Sequence, residues 1–82
     1  MLKAVALKID EIYVPADRRK ELDPQVIEQV AEEMMEGAEE RPVQVRQGKD
    51  RYVLVKGVNR LEACKALGEK TIQAIIVQAR QH

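Results

Sequence analysis

Residues Arg51–Gly68, RYVLVKGVNRLEACKALG, decide how the rest of the chain is read. Tyr52 and Leu54 alternate with Val53 and Val55, the period-two pattern of a strand. Gly57 follows and lets the backbone turn sharply, because it has no Cβ to penalise unusual φ/ψ values. Leu61, Cys64 and Leu67 then recur at helical spacing, and Gly68 stands where that helix should stop. A strand that passes through glycine into a helix leaves unpaired N–H groups beside the positive end of the helix dipole. Such an end suits a phosphate. Lys56 before the glycine and Arg60 at the helix mouth add positive charge there. The stretch therefore predicts a nucleotide or phosphate site. Asn59 also reads as an N-cap three residues before Glu62, a near capping box worth about 0.5–2 kcal/mol to the helix. Capping alone and capping with ligand contact are both open for Asn59. Glu62 reads as structural, since its carboxylate would oppose a nearby phosphate.

Working outward, the chain supplies three further strands and another helix around this unit. Val5, Leu7 and Ile9 alternate with Ala4, Ala6 and Lys8, predicting a half-buried strand over residues 3–9. Ile12–Pro15 continues extended, because proline biases its predecessor away from helix. Ala16–Leu22, ADRRKEL, reads as a polar connector. Asp23–Pro24 starts a helix, with Asp as cap and Pro at the first helical position, running to about Glu36. Its predicted buried stripe is Ile27, Val30, Ala31 and Met34, with Met35 at the core's edge and Glu28, Glu32, Glu33 and Glu36 in water. Gly37 ends it. Pro42 opens a strand in which Val43 and Val45 share one face and Gln44 and Arg46 the other. Gln47–Asp50 is a hairpin loop, and Thr71–Gln78 a last strand with Ile75, Ile76 and Val77 buried. The order is β-α-β-β-α-β, a small α+β domain spanning residues 1–82.

The composition narrows the function classes. Eighty-two residues, 45% hydrophobic and 34% charged, fit one compact domain. Two tyrosines with no Phe or Trp give an aliphatic core and no aromatic platform for single-stranded bases. Net charge is zero, so no global field draws the chain to DNA or an anionic membrane. The charge is nevertheless segregated: Glu28–Glu40 holds six acids and no base, and Arg41–Arg60 six bases and one acid. One cysteine excludes an internal disulfide, and one histidine, at the last position, leaves no His ligand set or His-based dyad. The opening MLKAVALKID is too short an apolar run for a signal peptide or membrane span, which predicts a cytoplasmic protein.

Four segments together resemble the superfamily of ParB N-terminal domains and sulfiredoxins: LKIDEIYVP (7–15), RRKELDPQVIEQVAEEM (18–34), RPVQVRQGKDRYVLVKGVNRLEACKALG (41–68) and TIQAIIV (71–77). They cover almost the whole chain in order, and the LDP-initiated helix and the strand-Gly-x-x-Arg-helix unit are the most specific of them. ParB proteins bind CTP through a Gly-Glu-Arg-Arg turn, which here reads Gly57-Val58-Asn59-Arg60. The resemblance thus places a phosphate on Gly57 and Arg60 and departs from the pattern at Val58 and Asn59, against CTP hydrolysis and the ParB clamp. It also implies that an arginine in the connector, Arg18 or Arg19, helps close the nucleotide pocket. In ParB a helix-turn-helix domain and a dimerisation tail follow, and neither is in this sequence. Sulfiredoxins carry Gly-Cys-His-Arg at the same turn, so Val58 replaces the nucleophilic cysteine and sulfiredoxin chemistry is not expected. Cys64 lies two helical turns on, on the apolar face. A third branch resembles free-serine kinases, which need a carboxylate base near the turn; Glu62 or an acid between Asp17 and Asp23 is on offer.

The expected function is a stand-alone nucleotide-binding module, regulatory and non-catalytic, taking CTP, ATP or ADP with Mg²⁺. Its candidate site is Lys56, Gly57, Val58, Asn59 and Arg60 with Arg18 and Arg19. The alternatives are a DNA-associated ParB-like protein of partitioning or transcription, a small-molecule kinase or nucleotidase, and an interaction domain working as a homo-oligomer.

Overall fold

The computed structural model describes residues 3–39 and 41–77. Its elements are β1 (Ala4–Lys8), a 3₁₀ turn (Ile9–Glu11), β2 (Ile12–Tyr13), α1 (Ala16–Arg19), α2 (Pro24–Met35), β3 (Val43–Gln47), β4 (Tyr52–Lys56), α3 (Val58–Ala66) and β5 (Thr71–Val77). The strands form one mixed sheet in the order β1-β5-β3-β4-β2. The hairpin β3–β4 and the pair β1–β5 are antiparallel, while β3–β5 and β2–β4 are parallel. This is the expected small α+β domain, with a short second strand and a short first helix added.

Central position explains the core. Val43 and Val45 on β3, Leu54 on β4, and Ile72 and Ala74 on β5 pack against Val58, Leu61 and Cys64 of α3, with Ile9, Ile12 and Val14 closing one end. Leu61, Val45 and Cys64 are fully buried. α3 packs on the sheet, and α2 lies against α3 rather than in the core. The stripe of Ile27, Val30, Ala31 and Met34 is therefore only half-buried, and Met35 is 73% exposed.

Local signals at the helix ends behave as their chemistry dictates. Asp23 caps α2, its carboxylate accepting the Gln25 N–H at 3.0 Å, with Pro24 at the first helical position. Gly37 and Gly68, both with positive φ, follow α2 and α3.

Other expectations are corrected. Ala16–Leu22 is not simply a connector, because α1 occupies Ala16–Arg19 after Pro15. Asp17 in its first turn and Arg18 and Arg19 in its last complement the helix dipole, a signal present in the sequence. β1 is mostly exposed rather than half-buried: it is an edge strand, and Val5 is 41% exposed. On β5 the buried residues are Ile72 and Ala74, which pair with Leu7 and Val5 of β1, Ala74 also with Val43 of β3. Ile75, Ile76 and Val77 are half-buried: Ile75 and Val77 alternate onto the face away from Ile72 and Ala74, and Ile76 packs at the margin of the core; Gln78 lies outside the described residues. The near capping box also fails, because Gly57 rather than Asn59 is the N-cap of α3.

Candidate functional site

The expected phosphate turn lies where β4 enters α3. Between Gln44 and Val45 the β3–β4 register shifts, so that Val45 faces Leu54 but Gln44 faces Lys56. The extra residue is a bulge at Val55, which bends the strand just before the turn. Gly57 then adopts φ +107°, a left-handed value that side chains rarely adopt. A Cβ there would stand 2.7 Å from Val43 Cγ1, 3.0 Å from its Cβ and 3.3 Å from its Cα. Glycine is thus required twice, for its backbone angle and for the close approach of β3.

α3 begins directly after this turn, and its first bond runs from the Leu61 N–H to the Gly57 carbonyl at 3.0 Å. The N–H groups of Val58, Asn59 and Arg60 have no acceptor among the described residues, and no side chain caps the helix. Three uncapped donors and a positive dipole end therefore stand together at the start of a nine-residue helix. Arg60 is half-buried and makes no ion pair or hydrogen bond among the described residues, and Lys56 is exposed. Val58 contributes only its backbone, since its side chain is 3% exposed and lies in the core.

Asn59 does other work. Its Oδ1 accepts the Asp23 N–H at 2.8 Å, and its Nδ2 donates to the Glu21 carbonyl at 3.2 Å. One amide thereby fastens the segment between α1 and α2 to the first turn of α3. Sequence reading assigned it a cap because the partner segment lies 36 residues away and periodicity carries no sign of it.

The two connector arginines diverge. Arg18 donates to the Val55 carbonyl at 3.4 Å, at the bulge, and pairs with Glu21 at 2.9 Å. It lines a groove with Pro15, Asp17, Arg46 and residues 53–55, next to the turn. Arg19 Nε donates to the Val14 carbonyl at 3.2 Å and lines a different cleft of about 330 Å³, shared with Tyr13, Leu22, Val58, Glu62 and Lys65. Arg46 is the cation sequence reading did not single out. Its alternation with Val45 placed it on the outer face, but only the fold brings α1 over that face.

Among the acids offered as a base, Glu62 pairs with Lys65 at 3.4 Å, Glu21 with Arg18, and Asp23 caps α2. Asp17 has no such partner among the described residues. No group of three or more His, Cys, Asp or Glu side chains among the described residues could hold a metal ion.

The model of the ParB N-terminal domain matches residues 2–82. The chain belongs to the ParB N-terminal domain family. A probable chromosome-partitioning protein ParB from Campylobacter jejuni is 32% identical over 75 residues, covering 90% of this chain and 27% of that protein. The chain thus spans about a quarter of the length of that relative. Solved structures share the fold. Sulfiredoxin from Arabidopsis thaliana superposes with a TM-score of 0.81 at 23% identity, over 94% of this chain and 86% of that one. ParB from Caulobacter crescentus complexed with CTP-γ-S superposes at 0.79 with 20% identity, over 96% and 46%. A free serine kinase variant in complex with ADP superposes at 0.74 with 22% identity, over 90% and 30%. The ParB-like and sulfiredoxin-like architecture expected from the sequence is the one found. No helix among the described residues is long and apolar enough to cross a membrane.

Proposed function

We propose that this domain binds the phosphates of a nucleotide at the N-terminus of α3 and acts as a regulatory, non-catalytic module. One observation carries the reading: three consecutive uncapped N–H groups, of Val58, Asn59 and Arg60, behind a glycine whose conformation no other residue would adopt without strain. Arg60, unpaired among the described residues, is the charged donor, and Arg18, held at the Val55 carbonyl, is the arginine placed to close over a ligand. Arg19 is engaged at Val14 and serves the neighbouring cleft. Membership of a fold whose solved examples hold CTP-γ-S, ADP and AMP supports a nucleotide as the phosphate carrier. Mg²⁺ would enter on the nucleotide's own phosphates, for want of a carboxylate cluster to hold it among the described residues.

The test is an amide NMR titration with CTP, ATP and ADP, each with and without Mg²⁺. Shifts centred on Gly57, Asn59 and Arg60 are expected, and Arg60→Ala should abolish them while leaving the fold intact. A flat response at millimolar nucleotide, or unchanged binding by folded Arg60→Ala, would refute the proposal.

The likeness to a chromosome-partitioning protein favours a second reading, in which the domain works beside DNA. That reading predicts duplex binding that weakens steeply with added salt.

A further inference from the structure

Given the phosphate site proposed at Gly57–Arg60, on which this step rests, we infer that residues 18–23 form a strap across the turn. The strap runs from the end of α1 to the cap of α2, and it tightens when a nucleotide occupies the turn. It is fastened on both sides of Gly57. Two residues before the glycine, the Val55 carbonyl accepts from Arg18 Nη1 at 3.4 Å. Two residues after it, Asn59 accepts the Asp23 N–H at 2.8 Å and donates to the Glu21 carbonyl at 3.2 Å. Within the strap, Arg18 Nη1 also meets Glu21 Oε2 at 2.9 Å, and the Glu21 and Leu22 N–H groups bond to the Arg18 and Arg19 carbonyls. Val55, Arg18, Glu21 and Asn59 thus close a circuit of hydrogen bonds around the turn.

Little burial holds the strap in place. Residues 20–23 are all exposed, Leu22 among them, and none belongs to the core. A segment with few buried contacts and exposed hydrogen bonds opens locally at low free-energy cost. The first turn of α3 is under-bonded too, because the N–H groups of Val58, Asn59 and Arg60 have no acceptor among the described residues.

Asn59 joins the two. Its backbone N–H is the middle one of the three offered to a phosphate, and its side chain holds the strap at Glu21 and Asp23. A phosphate that fixes the first turn of α3 therefore fixes the Asn59 side chain, and with it the strap. The coupling is reciprocal: a ligand that orders the strap is bound more tightly by the same factor. The strap also carries Arg18, whose two bonds both use Nη1, so its Nε and Nη2 have no partner among the described residues and stay available to a phosphate. Asn59 is thus a positioning residue for the site, through its side chain as well as its amide.

Amide solvent exchange measured by NMR on the full chain tests the strap, without ligand and with saturating CTP or ATP and Mg²⁺. Exchange at the Asp23 amide should slow about fivefold or more on binding. The Gly37 amide, bonded to Met34 at the far end of α2, should not change. Asn59→Ala keeps the backbone N–H but should bind nucleotide about fivefold or more weakly, with Asp23 exchange the same with and without ligand. Shifts at Gly57 and Arg60 with Asp23 exchange unchanged would overturn the strap and leave the phosphate site standing. No shift at millimolar nucleotide would overturn both. Equal slowing at Gly37, or slowing at Asp23 that persists in Asn59→Ala, would show general stabilisation and overturn the strap as well. Exchange in the parent chain decides the matter even if the variant misfolds.

Discussion

Replacing Gly57 with alanine should damage this domain more than the same change at Gly37 or Gly68, the other glycines with positive φ. Two independent costs add. Holding an L-residue at φ +107° is worth about 1–2 kcal/mol, the left-handed penalty. The new methyl would sit 2.7 Å from Val43 Cγ1, and Val43 cannot give way: it is β-branched, 1% exposed, and on a strand paired on both sides. Overpacking of that kind costs about 1–3 kcal/mol. Alanine recovers about 0.4–1 kcal/mol by stiffening the unfolded chain. The net is a loss of about 1–5 kcal/mol, or roughly 5–35 °C in melting temperature for a domain this small. Urea and thermal denaturation followed by circular dichroism would measure it. Gly37→Ala and Gly68→Ala are internal controls, since both glycines have positive φ but open space where a Cβ would go. Each should lose only the conformational part, about 1 kcal/mol. In the Gly57→Ala background, Val43→Ala should cost less than it does in the parent, because it removes the atoms the methyl strikes. If Gly57→Ala melts within the range of the two controls, the close approach to β3 contributes nothing and the reasoning is wrong.

Two further changes separate the clamp from the core. Asn59→Ala removes both bonds to the segment between α1 and α2 and should destabilise by about 1–2 kcal/mol, with faster hydrogen exchange at the Asp23 amide; an exchange rate there equal to the parent's would show that the clamp does not hold in solution. Leu61→Ala, in a fully buried position between α3 and the sheet, should cost about 2–5 kcal/mol in chemical denaturation, and a loss below 1 kcal/mol would mean that the site collapses freely.

Several features were legible in the sequence because the forces behind them act over a few residues. Asp23–Pro24 starts a helix wherever it stands, since a carboxylate reaches an N–H two residues on and proline lacks only a bond the first turn never makes. The alternation in β3 and the glycine between β4 and α3 likewise carry their reasons locally. The strand-glycine-helix pattern placed the expected phosphate turn at Gly57–Arg60, the family resemblance pointed to the same residues, and the uncapped start of α3 lies there.

The tertiary structure decided what depends on neighbours distant in sequence. The same alternation that buries Val43 and Val45 leaves Val5 exposed, because β3 lies in the middle of the sheet and β1 at its margin. Periodicity says which side chains share a face; it carries no information on what covers that face. Asn59 turned from a cap into a clamp because Gly57 starts the helix two residues earlier and the chain from α1 returns across it. Arg18 and Arg19 are adjacent in sequence, yet one reaches the bulge before the turn and the other reaches Val14, since successive residues on a helix point about 100° apart. Local chemistry thus set where helices begin and strands turn, while the order of the strands set which residues are core and which are edge.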